Sequence, residues 1–263
     1  MASTFGTELR AWRDVRGLSQ TELGARAGVS QRHISFLETG RSLPSHEMVL
    51  CLAGALGVPP REQNVLLALI GHAPEYPETP LHSLPAVRDA LAFMTTAHEP
   101  NMAFAIDRRW DVVASNAPAR RFMKWAFPVS PPWLTSPPNV MLMCLRPDGL
   151  RRLMVDWERP AAALLRCLER DAASLRNDEE LRALITEVRA QPGCERLAID
   201  RYVPGTREPV AQVAFVVEGE EISLFTTVAV LGDANDLTLS ELRILTLWPA
   251  DEESADRSSR YIG

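Results

Sequence analysis

Across residues 4–70, apolar positions recur at helical spacing in short runs broken by glycine, serine and proline. Phe5, Leu9 and Trp12 share one face of a first helix, Phe5 to Arg16, which Gly17 stops. Ser19-Gln20-Thr21-Glu22 reads as a capping box, in which the serine hydroxyl accepts from the backbone at Glu22 and the carboxylate reaches back. It opens a second helix that ends at Gly28, a residue suited to a left-handed stop. Ser30 caps a third helix, Gln31 to Thr39, which Gly40 ends. Ser45 caps a fourth, with Val49, Leu52, Ala53 and Leu56 on one face. After Pro59-Pro60 a fifth covers Arg61 to Ile70.

Four prolines within residues 73–85 (Pro74, Pro77, Pro80 and Pro85) mark a boundary. Beyond it a helix from Pro85 to Ala97 buries Val87, Leu91 and Met94, and the pattern then turns extended. Ala103 to Asp107 and Trp110 to Ser115, joined by a tight Asp107-Arg108-Arg109 corner, predict a hairpin. Asn116 caps a helix that holds Ala117, Phe122 and Trp125, and Pro128 to Pro138 is a loop. Two further helices follow: Pro160 to Arg176, with Leu164, Leu165, Leu168 and Ala172, and Glu179 to Ala190, with Leu181, Leu184, Ile185 and Val188. The chain closes in strands, Val210 to Val217 and Glu221 to Val230 around a Glu218-Gly219-Glu220 turn, then Glu241 to Leu247. The stretch after Ala250 is polar and is expected to fray. The expected organisation is a helical domain over 1–72, a proline-rich linker over 73–84, a mixed domain over 85–255 and a polar tail over 256–263. The class is α+β.

Composition narrows the function classes. The chain has 263 residues, 46% hydrophobic and 24% charged, as globular proteins do. A net charge of −6 excludes a uniformly basic nucleic-acid coat. Residues 1–45 nevertheless hold six arginines against four acids, so they carry +2 and the remainder −8. No purely apolar run exceeds six residues (Val65 to Ile70), which predicts no membrane span, and MASTFGTELR does not begin as a signal peptide does. Cys51, Cys144, Cys167 and Cys194 form no CxxC pair and read as reduced core residues, so a cytoplasmic protein is expected. All five histidines (His33, His46, His72, His82 and His98) lie in the first 98 residues, which removes histidine-based catalysis and most zinc sites from the rest. GxSxG and a glycine-rich phosphate loop are absent, and Lys124 is the single lysine. Asn177-Asp178-Glu179-Glu180 reads as a helix start rather than a metal site. Neither an enzyme nor a metal centre is expected.

The chemistry concentrates in SQTELGARAGVSQRHISFLE, residues 19–38. Two short helices that cross steeply need a tiny residue where their backbones approach, at Gly24, and a residue free to take positive φ in the turn, at Gly28. Leu23, Ala27, Val29, Ile34 and Leu37 supply the interior, which leaves Gln31, Arg32 and Ser35 outward on the third helix. Such side chains suit base edges in the major groove, arginine against guanine and glutamine against adenine. Ser30 stands at the start of that helix and belongs to the expected contact set. Gln20, at the head of the second helix, and Arg41, beyond the third, are placed for phosphates. Extended to SQTELGARAGVSQRHISFLETGRSLPS, the stretch resembles the repressor/Cro (XRE-type) helix-turn-helix family. The resemblance implies a five-helix DNA-binding domain and a structural ion pair between Arg13 of the first helix and Glu38 at the end of the recognition helix. Phe36 departs from the polar residue often found in that family; it either touches a thymine methyl or packs. A local charge of only +2 points to two copies reading a two-fold site, hence a homodimer on double-stranded DNA.

The strand–corner–strand–capped-helix order of Met102 to Trp125, closed by antiparallel strands late in the chain, resembles a PAS-like domain. DRRWDVVASNAPARRFM, PNVMLMCLRPDGLRRLMVDWERPAAALLRCLERD and ISLFTTVAVLGDANDLTLSELRILTLWPADEES are similar to the ligand-binding domain of MmyB-like transcription regulators. That resemblance implies a hollow between sheet and helices for a small hydrophobic ligand such as a fatty acid. Phe104, Ile106, Val113, Phe122, Trp125, Met141, Met143, Phe215 and Leu224 can line it, or pack as an ordinary core. An acyl carboxylate would need a donor, for which Arg109, Arg120, Arg121 and Arg146 are candidates; each otherwise reads as a solvated surface arginine. The expected function is a DNA-binding transcription regulator with a ligand-sensing second domain and no cofactor beyond such a ligand. The alternative is a second domain that docks a protein or a second copy and holds no small molecule.

Overall fold

The computed structural model describes residues 5–134, 136–175, 178–197, 212–230 and 235–262. The chain divides into two compact units, the main part of the first reaching Glu78 and the second beginning at Thr79, inside the proline-rich stretch. Val210 and Arg176, where a strand was expected to start and a helix to end, lie outside the described residues.

The first unit is built from α1 (Phe5–Val15), α2 (Gln20–Ala27), α3 (Gln31–Glu38), α4 (His46–Leu56) and α5 (Pro60–Ala68). The capping box at α2 is complete: Ser19 Oγ accepts from Glu22 N at 3.2 Å, and Glu22 Oε2 accepts from Ser19 N at 2.7 Å. Gly28 ends the helix at φ +66°. A Cβ on Gly24 would stand 2.4 Å from the carbonyl oxygen of Val29, so the turn can close on α2 only over a glycine. Leu9, Trp12, Leu23, Ile34, Leu37, Leu52 and Leu67 are all buried around one centre, each contributing about 1.5–3 kcal/mol through burial. Arg16 reaches across to the end of α4 and donates to the carbonyls of Leu56 at 2.7 Å and Gly57 at 2.9 Å. That supplies a cation to carbonyls that no helical N–H can reach. The expected linker is in part strapped to α5: Asn64 Oδ1 accepts from the backbone of Glu75 and Tyr76, and Arg61 pairs with Glu78 at 2.6 Å.

The second unit runs α6 (Pro85–Thr96), β1 (Met102–Ile106), β2 (Val112–Ser115), α7 (Ala117–Ala126), α8 (Val140–Leu145), β3 (Met154–Val155), α9 (Glu158–Ser174), α10 (Glu179–Arg189), β4 (Gln212–Val217), β5 (Glu220–Val230), α11 (Leu237–Ser240), β6 (Arg243–Pro249) and α12 (Glu252–Tyr261). Six strands form one antiparallel sheet in the order β2-β1-β6-β5-β4-β3. The register sorts side chains by face. Phe104 lies opposite Leu245 and Met102 opposite Leu247, while Ala105 opposite Ile244 turns the other way, against Leu91 of α6. Asn116 joins three segments: its Oδ1 accepts from Ala103 N and Ala119 N at 3.1 Å, and its Nδ2 donates to the carbonyls of Thr95 and Asn101.

Three expectations need correction. The stretch after Ala250 does not fray but forms α12, capped by Asp251 Oδ1 accepting from Ser254 N at 2.7 Å. It docks through Ser254, whose hydroxyl accepts from Ser223 N of β5 at 3.1 Å, and through buried Ile262. A face made of serines carries no apolar stripe, which is why its sequence reads as tail. Trp110 is not in β2; it sits in the corner at φ +66°, where Asp107 Oδ1 accepts from the backbone of Arg109 and Asp111. Finally, α8 and the two-residue β3 are additional elements, too short for a periodic signal.

Candidate functional site

Two sites emerge, one on the outside of the first unit and one inside the second. On α3, Ser30 Oγ accepts from His33 N at 3.3 Å and sets the start of the helix. Ile34 and Leu37 are buried at 0% and 1% exposure, so the helix rotation turns Gln31 and Arg32 fully outward and leaves Ser35 and Phe36 at the half-buried margin. Arg41, just past the helix, is exposed as well. The Phe36 ring carries two guanidinium groups, Arg32 at 5.3 Å and Arg41 at 5.9 Å from its centre. Each such contact contributes about 0.5–1 kcal/mol at an exposed site, so the ring holds both cations on one edge of the helix.

Behind α3, Arg13 Nε donates to Glu38 Oε1 at 2.6 Å and Arg13 Nη2 to Glu38 Oε2 at 3.1 Å, with the Glu38 side chain 3% exposed. Gln20 belongs to this cluster: its amide nitrogen donates to Glu38 Oε2 at 3.0 Å. The Gln20 amide has a second N–H beyond the one given to Glu38, so the side chain braces α3 and keeps a donor of the kind a phosphate accepts from. Burial pushes the Glu38 carboxyl up, but the hydrogen bonds from Arg13 and Gln20 and the arginine charge outweigh it and hold it below the ordinary value. The same hydrogen bond raises Arg13.

In the second unit a cavity of about 190 Å³ lies between the sheet and helices α7, α8 and α9. Phe104, Phe122, Met143 and Phe215 line it, and Phe122 meets Phe215 edge-on at 5.3 Å. The other five expected residues lie outside the wall. Val113 is on the opposite sheet face, packed with Leu91 and Ile244. Ile106 follows an irregularity in the β1–β2 pairing. Met141 occupies the far side of α8, whose Val140, Met143 and Cys144 face the cavity. Trp125 is turned to the rim, where its Nε1 donates to Glu218 at 2.7 Å. Leu224 shares the cavity face of β5 but is covered within the core at 1% exposure. Residues not anticipated complete the wall, notably Met102, Trp110, Met154, Leu245 and Leu247, with Pro160, Ala163, Leu164 and Cys167 of α9. The α9 set falls at i, i+3, i+4 and i+7, a stripe visible in the sequence. Cys144 is pushed up to about 12 and Cys167 upward, both chiefly by burial, so both thiols stay protonated.

Among the described residues no group of three or more His, Cys, Asp or Glu side chains is arranged to hold a metal ion, and no helix is long and apolar enough to cross a membrane. Residues 4–66 match the family model of a helix-turn-helix domain, and residues 87–260 that of the MmyB-like transcription regulator ligand binding domain. Over 58 residues the chain is 41% identical to the uncharacterized HTH-type transcriptional regulator y4dJ of Sinorhizobium fredii, a match covering 22% of this chain and 75% of that protein.

Proposed function

The chain belongs to the MmyB-like transcription regulators, with a helix-turn-helix domain ahead of the ligand-binding domain, and from that premise we propose a ligand-responsive, sequence-specific DNA-binding protein of the XRE type. In this reading α3 enters the major groove: Gln31, Arg32 and Ser35 address base edges, Ser30 and Arg41 address phosphates, and Phe36 positions both arginines. The observation that carries it is the split of α3 into a buried Ile34–Leu37 edge and an outward Gln31–Arg32 edge. The second domain, PAS-like in the order of its first hairpin and capped helix, takes a small hydrophobic molecule into the cavity between sheet and helices. The almost wholly apolar lining supports that choice.

Two copies act together on a two-fold site in the cytoplasm, because a local charge of +2 gives little sequence-independent attraction. A ligand that binds one arrangement of the dimer more tightly shifts DNA affinity by its differential binding, about 1–3 kcal/mol in coupled systems. The reading is non-enzymatic.

The test is site selection followed by titration of the selected duplex. Arg32→Ala is expected to weaken specific binding by about 1–3 kcal/mol and to relax one base position. Arg41→Ala is expected to weaken all sequences alike and to flatten the salt dependence by about one unit of slope. Unchanged footprints for both variants would overturn the placement of α3.

A further inference from the structure

The charge inventory around the cavity speaks to the chemistry of its occupant. Among the described residues no charged side chain lines it. The four arginines that the sequence offers to a carboxylate are all engaged elsewhere. Arg109 bonds Asp111 at 2.7 Å and Glu180 at 3.1 Å. Arg120 donates to the carbonyl of Ser115, and Arg121 Nε to that of Ile262 at 3.0 Å. Arg146 pairs with Asp148 at 3.0 Å and lies over Trp133.

A fifth, Arg243, stands on the same strand face as the lining residues Leu245 and Leu247, but Asp171 neutralises it at 2.5 Å. Trp110 stands against that pair, its ring centre 5.5 Å from the guanidinium and its Nε1 donating to Asp171 at 3.1 Å. A carboxylate there would meet an aspartate as well as an arginine. The polar groups left on the wall are few. Thr226 faces the cavity opposite Leu247, Gln212 borders it from the start of β4 on the alternate strand face from Val213 and Phe215, and the Cys144 and Cys167 thiols are weak donors only. Burying an unpaired carboxylate in such surroundings is strongly unfavourable.

We propose that the cavity takes an uncharged apolar molecule, held by shape, with at most one hydrogen-bonding group directed to the Thr226 hydroxyl. The volume sets the scale: an apolar cavity of ~150 Å³ admits one benzene ring, so about 190 Å³ suits roughly six to ten carbons. This inference rests on the second domain being a small-molecule sensor, and it narrows that reading to neutral ligands.

The experiment is calorimetric titration of the full chain with 1-octanol and, separately, octanoate, at about pH 8, where the acid is ionised. The alcohol is expected to bind at least about tenfold more tightly than the acid. Thr226→Val, which keeps the branched shape on β5, is expected to lower octanol affinity by about threefold to tenfold. Octanoate binding as tightly as octanol would overturn the neutral class and leave the sensor reading intact. Failure of both probes to bind would overturn the sensor reading along with it. Octanol affinity unchanged in Thr226→Val would overturn the role of the hydroxyl.

Discussion

The two units use burial in opposite ways. In the first, the inner faces of the five helices close on one another, through Leu9, Trp12, Leu23, Ile34, Leu37 and Leu67 among others, and the candidate site is the outer edge of one helix. In the second, the sheet and three helices close around an opening that no side chain fills, and the candidate chemistry lies within. An outward-facing site depends on a few residues and one helix rotation. An inward-facing site depends on how eight separate elements converge, five strands and three helices. The first is therefore sensitive to whatever holds α3 in place, and the second tolerant of changes at its wall.

The largest effect expected from this contrast falls on Arg13. Arg13→Met leaves the Glu38 carboxylate buried with only Gln20 beside it, and is expected to destabilise the first unit by about 3–5 kcal/mol. Chemical denaturation of the full chain measures this, and a loss under 1 kcal/mol would mean, against that ~3–5 kcal/mol scale, that water takes over the arginine's role.

A matched pair of truncations compares the units directly. Leu67→Ala opens a new hole in a closed core and is expected to cost about 2–5 kcal/mol. Leu164→Ala enlarges a hole already present, from a half-buried side chain, and is expected to cost about 1 kcal/mol. Equal losses in urea melts would break the comparison, since they would mean that the second unit is packed as tightly as the first.

The smallest effect concerns acid. The Glu38 carboxyl is lowered from 4.5, so its contribution to stability is fully present above that value and fades as pH falls through the lower folded value. Glu38→Gln is expected to remove this part of the acid sensitivity, read as a flatter stability profile below about pH 4.5.

Much of the first unit is legible along the chain because its determinants are local. Ser19 and Glu22 are three residues apart, Gly28 stands one residue past α2, and the outward set on α3 follows from the positions of Ile34 and Leu37. Gln20 escapes that logic. It looks free at the head of a helix, and only the fold brings Glu38, eighteen residues on, within 3.0 Å of it.

In the second unit the strands of the closing meander and the Asn116 cap are readable, since alternation and a capping residue are again local signals. The wall of the cavity is not. Hydrophobicity marks Val113 and Met141 as inside but does not say inside what: one packs beneath the sheet against α6, the other on the far side of α8.

The order of residues thus determined two domains, their class, the caps, the turn between α2 and α3 and the edge that α3 presents. Tertiary structure alone decided that Gln20 braces Glu38, that the last residues form a helix seated on serines, that the arginines near the cavity are spent on carboxylates and carbonyls, and which apolar side chains border empty space. The physical reason is range. Helical rotation, strand alternation and capping act over a few residues, whereas charge pairing and the shape of a void depend on groups that share no stretch of sequence.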